Sequence, residues 1–276
     1  MNKNKFNFGL IVICRIGSEK IVIGFIEISL LLIIGTGAGV LGSLVGIGGG
    51  VIISPFLTFL SLTPSQVAST SLISVTSTSG SSVIAYSRLK RINYSTGLGM
   101  ALFSSPGAII GAIISVHISL YFFIVLFAVL LFATGLYLLF RNSVLSRPKF
   151  NMNSIFIKVI FCFGSFVAGI ISSLFGIGGG VLFVPLLVLI IGMNMSSAVP
   201  TSQLALLSTS LVGTFTHVIL GNPEYVYALF LSIGSFAGAQ IGAKASGIFS
   251  SSTLEKIFAI LLIAVAIRFV IAFYLR

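Results

Sequence analysis

The stretch Gly46-Ile47-Gly48-Gly49-Gly50-Val51, followed by Pro55, recurs as Gly176-Ile177-Gly178-Gly179-Gly180-Val181, followed by Pro185. Seven of the ten positions from first glycine to proline are identical. The likeness extends outward. Upstream, Ala38-Gly39 falls on Ala168-Gly169 and Ser43-Leu44 on Ser173-Leu174. Downstream the register shifts by one residue: Thr70-Ser71 falls on Thr201-Ser202, Tyr94 on Tyr225, and Gly107-Ala108 with Gly111-Ala112 on Gly238-Ala239 with Gly242-Ala243. A match that holds in order along both halves marks an internal duplication rather than a tract of biased composition.

The medium in which these halves fold follows from composition. The chain is 57% hydrophobic and 7% charged over 276 residues, with mean hydropathy +1.21, against roughly 25% charged residues in a soluble domain. No Asp, Glu, Lys or Arg occurs from Ile28 to Ser87, from Ile92 to Phe140 or from Val159 to Pro223. Each run holds two or more crossings at about 20 residues per helix. The expected fold is therefore all-α and polytopic, with the lipid bilayer as solvent: about eight transmembrane helices in two homologous four-helix halves, each with a glycine-rich helix break.

Apolar runs bounded by polar or basic turns place spans at 21–45, 66–87, 95–116 and 119–140, then at 155–175, 197–220, 226–247 and 253–274. Short segments at 50–62 and 180–192 follow the breaks. As helix they reach roughly 20 Å, too little for a hydrocarbon core of roughly 30 Å, so each is expected to be a half-helix or re-entrant piece joined to the span before it. The organisation is a cytoplasmic tail at 1–20, a first repeat at 21–140, a basic linker at 141–154 and a second repeat at 155–276. On this count the basic turns Arg88/Lys90/Arg91 and Arg141/Arg147/Lys149 share a side with the basic N-terminus, which places both termini in the cytoplasm. Lys244 and Lys256 sit less tidily, on the outer side. Four crossings per half would give the two copies the same orientation.

Charge and chemistry exclude several functions. The net charge of +11 comes from basic residues at the ends of apolar runs, not from a patch with interleaved aromatics, so nucleic acid is not an expected partner. There are four acids, Glu19, Glu27, Glu224 and Glu255, and no Asp, which leaves little from which to build a carboxylate metal site or a paired-carboxylate hydrolase. Cys14 and Cys162 stand alone, without metal-ligand spacing. No catalytic residue, metal site or cofactor is expected, and an intramembrane enzyme lacks its nucleophile and base.

The breaks carry the chemistry. Glycine costs a helix about 1 kcal/mol against alanine, and Pro55 and Pro185 remove backbone donors nearby. The freed backbone groups must face protein or a wet cavity. A helix restarting after such a break points its N–H groups and positive dipole end at that space, an anion site without a cationic side chain. Gly48, Gly49, Gly50, Gly178, Gly179 and Gly180 are the expected backbone ligands, with Gly46, Pro55, Gly176 and Pro185 shaping the breaks. The competing reading, close helix packing through small residues, suits Gly107/Gly111 and Gly238/Gly242 better. Hydroxyl-rich helices follow each break, and from them Thr70, Ser71, Thr201, Ser202 and Gln203 are candidate substrate ligands. Each hydroxyl has the alternative of bonding its own helix's carbonyls. His217, inside a span, is a candidate for proton coupling or for a structural hydrogen bond.

The paired Gly-x-Gly-Gly-Gly-x₄-Pro elements, the following Thr-Ser helices and the late Gly-Ala-x-x-Gly-Ala element resemble the sulfite exporter TauE/SafE transporters over roughly residues 27 to 275. That resemblance implies movement of a small sulfur-containing or organic anion, such as sulfite or a sulfonate, across a prokaryotic cytoplasmic membrane. By the same resemblance the motif positions are Gly46, Gly48, Gly49, Gly50 and Pro55, with Gly176, Gly178, Gly179, Gly180 and Pro185. The halves differ at Ser69, which faces Pro200 in the alignment of the repeats. No nucleotide motif suggests ATP drive, so coupling to protons or sodium is expected. A channel or membrane scaffold without coupled transport is the alternative.

Overall fold

The computed structural model describes residues 11–16, 19–60, 62–144, 155–221, 223–248 and 250–274. Most of the expected tail, and Arg147 and Lys149 of the linker, lie outside the described residues. A two-stranded antiparallel hairpin, β1 (Ile11–Ile16) and β2 (Glu19–Gly24), leads in, an addition to the all-helical expectation.

Among the described residues ten helices follow, and the repeat is visible in their lengths. The first half gives α1 (Phe25–Val45), α2 (Gly50–Phe59), α3 (Pro64–Arg88), α4 (Tyr94–His117) and α5 (Leu120–Val144). The second gives α6 (Ile155–Phe175), α7 (Gly180–Leu189), α8 (Met195–Ile219), α9 (Tyr225–Ala245) and α10 (Ser251–Tyr274). Their starts have local causes. Thr63 caps α3 in a reciprocal box with Gln66, and Pro64 takes the first turn, where its missing N–H costs nothing. Among the described residues, four helices are long and apolar enough to cross a membrane by length and composition: Ile26–Val45, Tyr94–His117, Ile155–Phe175 and Tyr225–Ala245. The core is apolar, with Phe123, Phe127 and Phe175 fully buried, but the outer surface is apolar too and the interior also holds hydroxyls. Ile26, Leu102, Phe122 and Phe163 are exposed, while Ser69, Thr70, Ser71, Ser74 and Thr78 are fully buried.

The two halves are not separate bundles. The most extensive helix contacts run between them: α1 on α9, α4 on α6, α3 on α9, α5 on α10, α3 on α8 and α4 on α8. Small residues make the closest of these interfaces. A Cβ added to Gly238 or Gly242 would strike the carbonyls of Thr36 or Val40, and one added to Gly107 or Gly111 would strike those of Phe166 or Ile170. The packing role expected of these four glycines is what the structure shows.

The same contacts fix helix direction. Gly35 lies against Leu231 and Gly39 against Ser235, so α1 and α9 run parallel. Ser77 Oγ donates to Ser232 O and Ser81 Oγ to Phe236 O, so α3 and α9 run parallel too. α8 opposes α3: Leu72 meets Gly213 while Gly80 meets Leu207. Gly107 on Phe166 and Gly111 on Ile170 make α4 parallel to α6. Because α4 turns back on α3 through the tight turn at 89–93, α6 opposes α1.

The copies are therefore inverted, contrary to the same-orientation expectation. The cause lies in the breaks. Gly46, Gly48 and Gly49 take φ of +90°, +80° and +81°, and Gly176, Gly178 and Gly179 take +70°, +79° and +77°, a left-handed region that side chains disfavour. These turns end α1 and send α2 back beside it, so that α3 starts again from the face where α1 began. Of the two expectations for the short segments, the re-entrant one describes them: neither half spends its first span and short segment on one broken crossing, and each makes a helical hairpin. Arg88, Lys90 and Arg91 thus lie at the end of the bundle opposite the start of α1, not on the same side as expected.

Candidate functional site

The two hairpins enter from opposite faces and their glycine tips meet at the middle of the bundle. At α1's end the N–H groups of Gly46, Ile47 and Gly48 all turn onto Gly42 O, at 3.0, 2.9 and 3.2 Å. α2 restarts at Gly50, and a Cβ there would press on Gly176 O and Ile177 Cα. Reciprocally, a Cβ on Gly180 at the start of α7 would press on Gly46 O and Ile47 Cα. Only glycine lets these backbones touch. Residues 46–51 and 176–181 are all buried.

Between the tips stand Val75 and Leu206, which hold equivalent places in the two repeats. A Cβ on Gly48 would lie 3.0 Å from Val75 Cγ1 and 3.6 Å from Leu206 Cδ1, and one on Gly178 would strike the same two side chains. Both residues are fully buried. Sequence reading passed over this pair because apolar residues in an apolar span carry no signal beyond their alignment.

The expected polar ligands split into two symmetry-related groups. Ser71 Oγ donates to Gly176 O at 2.7 Å, and Ser202 Oγ donates to Gly46 O at 3.1 Å. Thr70 Oγ1 accepts from the N–H of Glu224 at 3.0 Å, and Thr201 Oγ1 from that of Asn93 at 3.1 Å. Glu224 and Asn93 are the residues that open α9 and α4. Each Thr-Ser pair thus reaches into the other half, the serine to a hairpin tip and the threonine to a helix start. Gln203 Nε2 donates to Gly42 O at 2.9 Å. Thr70 and Ser71 lie toward the face where α1 begins, and Thr201, Ser202 and Gln203 toward the opposite one, with Val75 and Leu206 between them. Pro55 and Pro185 sit inside α2 and α7. His217 stands apart from the tips' glycines, its Nε2 3.2 Å from Ser173 O.

The sulfite exporter TauE/SafE profile matches residues 31–269, most of the chain. The chain belongs to this family. TauE/SafE membership makes it a membrane transporter protein with apolar helices, and the motif glycines of this TauE/SafE chain are the tips of the two inverted hairpins. A probable membrane transporter protein of Bacillus subtilis, YunE, is 31% identical over 265 residues, covering 87% of this chain and 96% of its own. A probable membrane transporter protein of Haemophilus influenzae is 29% identical over 267 residues, covering 88% of this chain and 98% of its own. One of Xylella fastidiosa is 27% identical over 246 residues, covering 87% and 94%. No solved structure matches the chain.

Proposed function

We propose that the protein is a secondary transporter for a small anion, sulfite, a sulfonate or a related organic anion, with no enzymatic activity. One observation carries this reading: α2 and α7 both begin at the centre of the bundle, at Gly50 and Gly180, each against the other hairpin's backbone. The first N–H groups of a helix have no intrahelical partner, and its positive dipole end attracts anions. Two such ends meeting in a region without charged side chains suit a substrate that must bind and leave without a fixed cation to hold it.

The proposed ligands are the backbone at Gly48–Gly50 and Gly178–Gly180, joined by the hydroxyls of Thr70, Ser71, Thr201 and Ser202 as the tips part, with Gln203 contributing only its amide nitrogen, which now donates to Gly42 O. In the arrangement described, those hydroxyls bridge the halves and Val75 with Leu206 closes the centre. Release of the Ser71–Gly176 contact would open one side, and release of the Ser202–Gly46 contact the other, which is how inverted repeats give alternating access.

The helix directions also revise the orientation. Arg88, Lys90, Arg91, Arg141, Lys158, Lys244 and Lys256 belong to the ends of α3, α5 and α9 or the starts of α6 and α10, all at one end of the bundle. Lys244 and Lys256 are no longer exceptions; Arg15 and Lys20 before α1, and Arg268 over Phe59, take that place at the other end. The positive-inside rule then makes this end cytoplasmic and puts α1's start and α10's end outside, in the cytoplasmic membrane of a prokaryote.

Flux of labelled sulfite into proteoliposomes tests the function. The expected result is saturable uptake that sulfonates inhibit and that stops when Gly49 or Gly179 is replaced by leucine in a protein that still folds. No saturable flux of any of these anions would refute it, and unsaturable flux would favour a channel.

A further inference from the structure

We infer that Ser43, Ser82 and Gln203 form a binding site for a sodium-sized monovalent cation at the C-terminal end of α1. Three facts place these side chains together. Gln203 Nε2 donates to Gly42 O at 2.9 Å, beside Ser43. Tyr86 OH donates to Ser43 O at 2.9 Å, and Ser82 lies one helical turn before Tyr86 on α3. The repeat supplies the third. In the second half a Cβ on Gly213 would lie 3.0 Å from Ser173 Oγ and 3.2 Å from Leu72 Cδ1. Inversion maps Gly213, Ser173 and Leu72 onto Ser82, Ser43 and Gln203, so the symmetry of the repeats puts Ser82 beside the other two.

The chemistry of the cluster selects the ligand. Ser43 Oγ, Ser82 Oγ and Gln203 Oε1 are buried and have no hydrogen-bond partner, and all three residues are fully buried. Buried polar atoms are almost always satisfied, by protein, water or an ion. A carbonyl only accepts, so the nitrogen of Gln203 faces Gly42 and its oxygen must face the cluster. That oxygen repels an anion and attracts a cation. Oxygen ligands suit a hard cation, and none of the three carries the charge that a divalent ion demands. The negative end of the α1 dipole points the same way, and interrupted helix ends in transporters coordinate sodium in this manner. The inversion-related place around Ser173 has Leu72, from α3, where this one has Gln203, and Gly213 where this one has Ser82, so this set of three oxygens occurs once.

The site does not depend on the anion reading; only a coupling role for it would. The test is thermal unfolding of the purified full-length protein in sodium chloride against choline chloride at equal ionic strength, with binding of labelled sodium ion alongside. The expected result is saturable stabilisation and binding by sodium alone. Affinity should fall at least tenfold in Ser82→Ala and in Gln203→Leu, which copies the other half. Should Gln203→Leu fail to fold, Ser82→Ala decides. Identical unfolding in both salts, or wild-type sodium affinity in Ser82→Ala, overturns the inference and indicates bridging water instead. Anion flux is scored separately: its absence with sodium binding intact refutes the transport reading and leaves this site standing.

Discussion

Tyr86 and His217 occupy the same place in the two inverted halves and make the same bond: Tyr86 OH donates to Ser43 O at 2.9 Å, and His217 Nε2 donates to Ser173 O at 3.2 Å. Both side chains are fully buried. The two carbonyls are themselves equivalent, each three residues before the first glycine of its break. Each ring therefore ties α3 or α8 to the end of the helix that leads into a glycine break.

From this equivalence we predict that His217 serves as a structural bond rather than a proton carrier, since a tyrosine does not exchange protons near neutral pH. His217→Tyr should fold and keep the rate and pH profile of anion flux. His217→Phe, which strands the Ser173 carbonyl, should lose about 1–3 kcal/mol of stability. Loss of pH dependence in His217→Tyr, with flux intact, would instead make His217 the proton carrier.

Val75 and Leu206 close the centre between the tips, so trimming both should loosen the closure without removing a ligand. The double variant Val75→Ala/Leu206→Ala is expected to leak anion in the absence of a gradient for any coupled ion, while each single variant leaks less. Vesicle efflux of labelled sulfite measures it. A double variant as tight as wild type would show that the barrier lies elsewhere.

Glycines of this chain divide by what stands opposite them. A Cβ on Gly238 would meet Thr36 O and lie 2.9 Å from Thr36 C, whereas one on Gly37 meets nothing within 4 Å. Gly238→Ala should lower the unfolding temperature by separating α9 from α1. Gly37→Ala, on an exposed helical position, should be neutral or add up to about 1 kcal/mol. Thermal unfolding of the two variants side by side gives the comparison.

Much of this architecture is legible in the sequence, because lipid leaves few options. The span expected at 66–87 is Pro64–Arg88, that at 95–116 is Tyr94–His117, and the short segments at 50–62 and 180–192 are Gly50–Phe59 and Gly180–Leu189. The motif glycines stand out because only they tolerate the left-handed turns. The direction of the chain after each turn is what sequence does not reveal. A segment too short to span can continue or return, and the choice inverts the second half. It is set by the dihedrals at Gly46, Gly48 and Gly49, which composition does not specify. Hydroxyl partners were equally hidden: Thr70 meets Glu224 across 154 positions of chain, and Ser71 meets Gly176 across 105.

Inversion of the halves is measured most directly by the sidedness of four loops. In a background with Cys14 and Cys162 replaced by serine, the single variants Lys90→Cys, Ser119→Cys, Leu220→Cys and Ser250→Cys are treated on intact cells with a membrane-impermeant thiol reagent. Inverted hairpins predict that Ser119→Cys and Leu220→Cys are labelled from outside, while Lys90→Cys and Ser250→Cys react only once the membrane is opened. Lys90→Cys grouping with Leu220→Cys, and Ser119→Cys with Ser250→Cys, would mean that the two copies share one orientation and would contradict the arrangement in which the glycine tips meet from opposite faces.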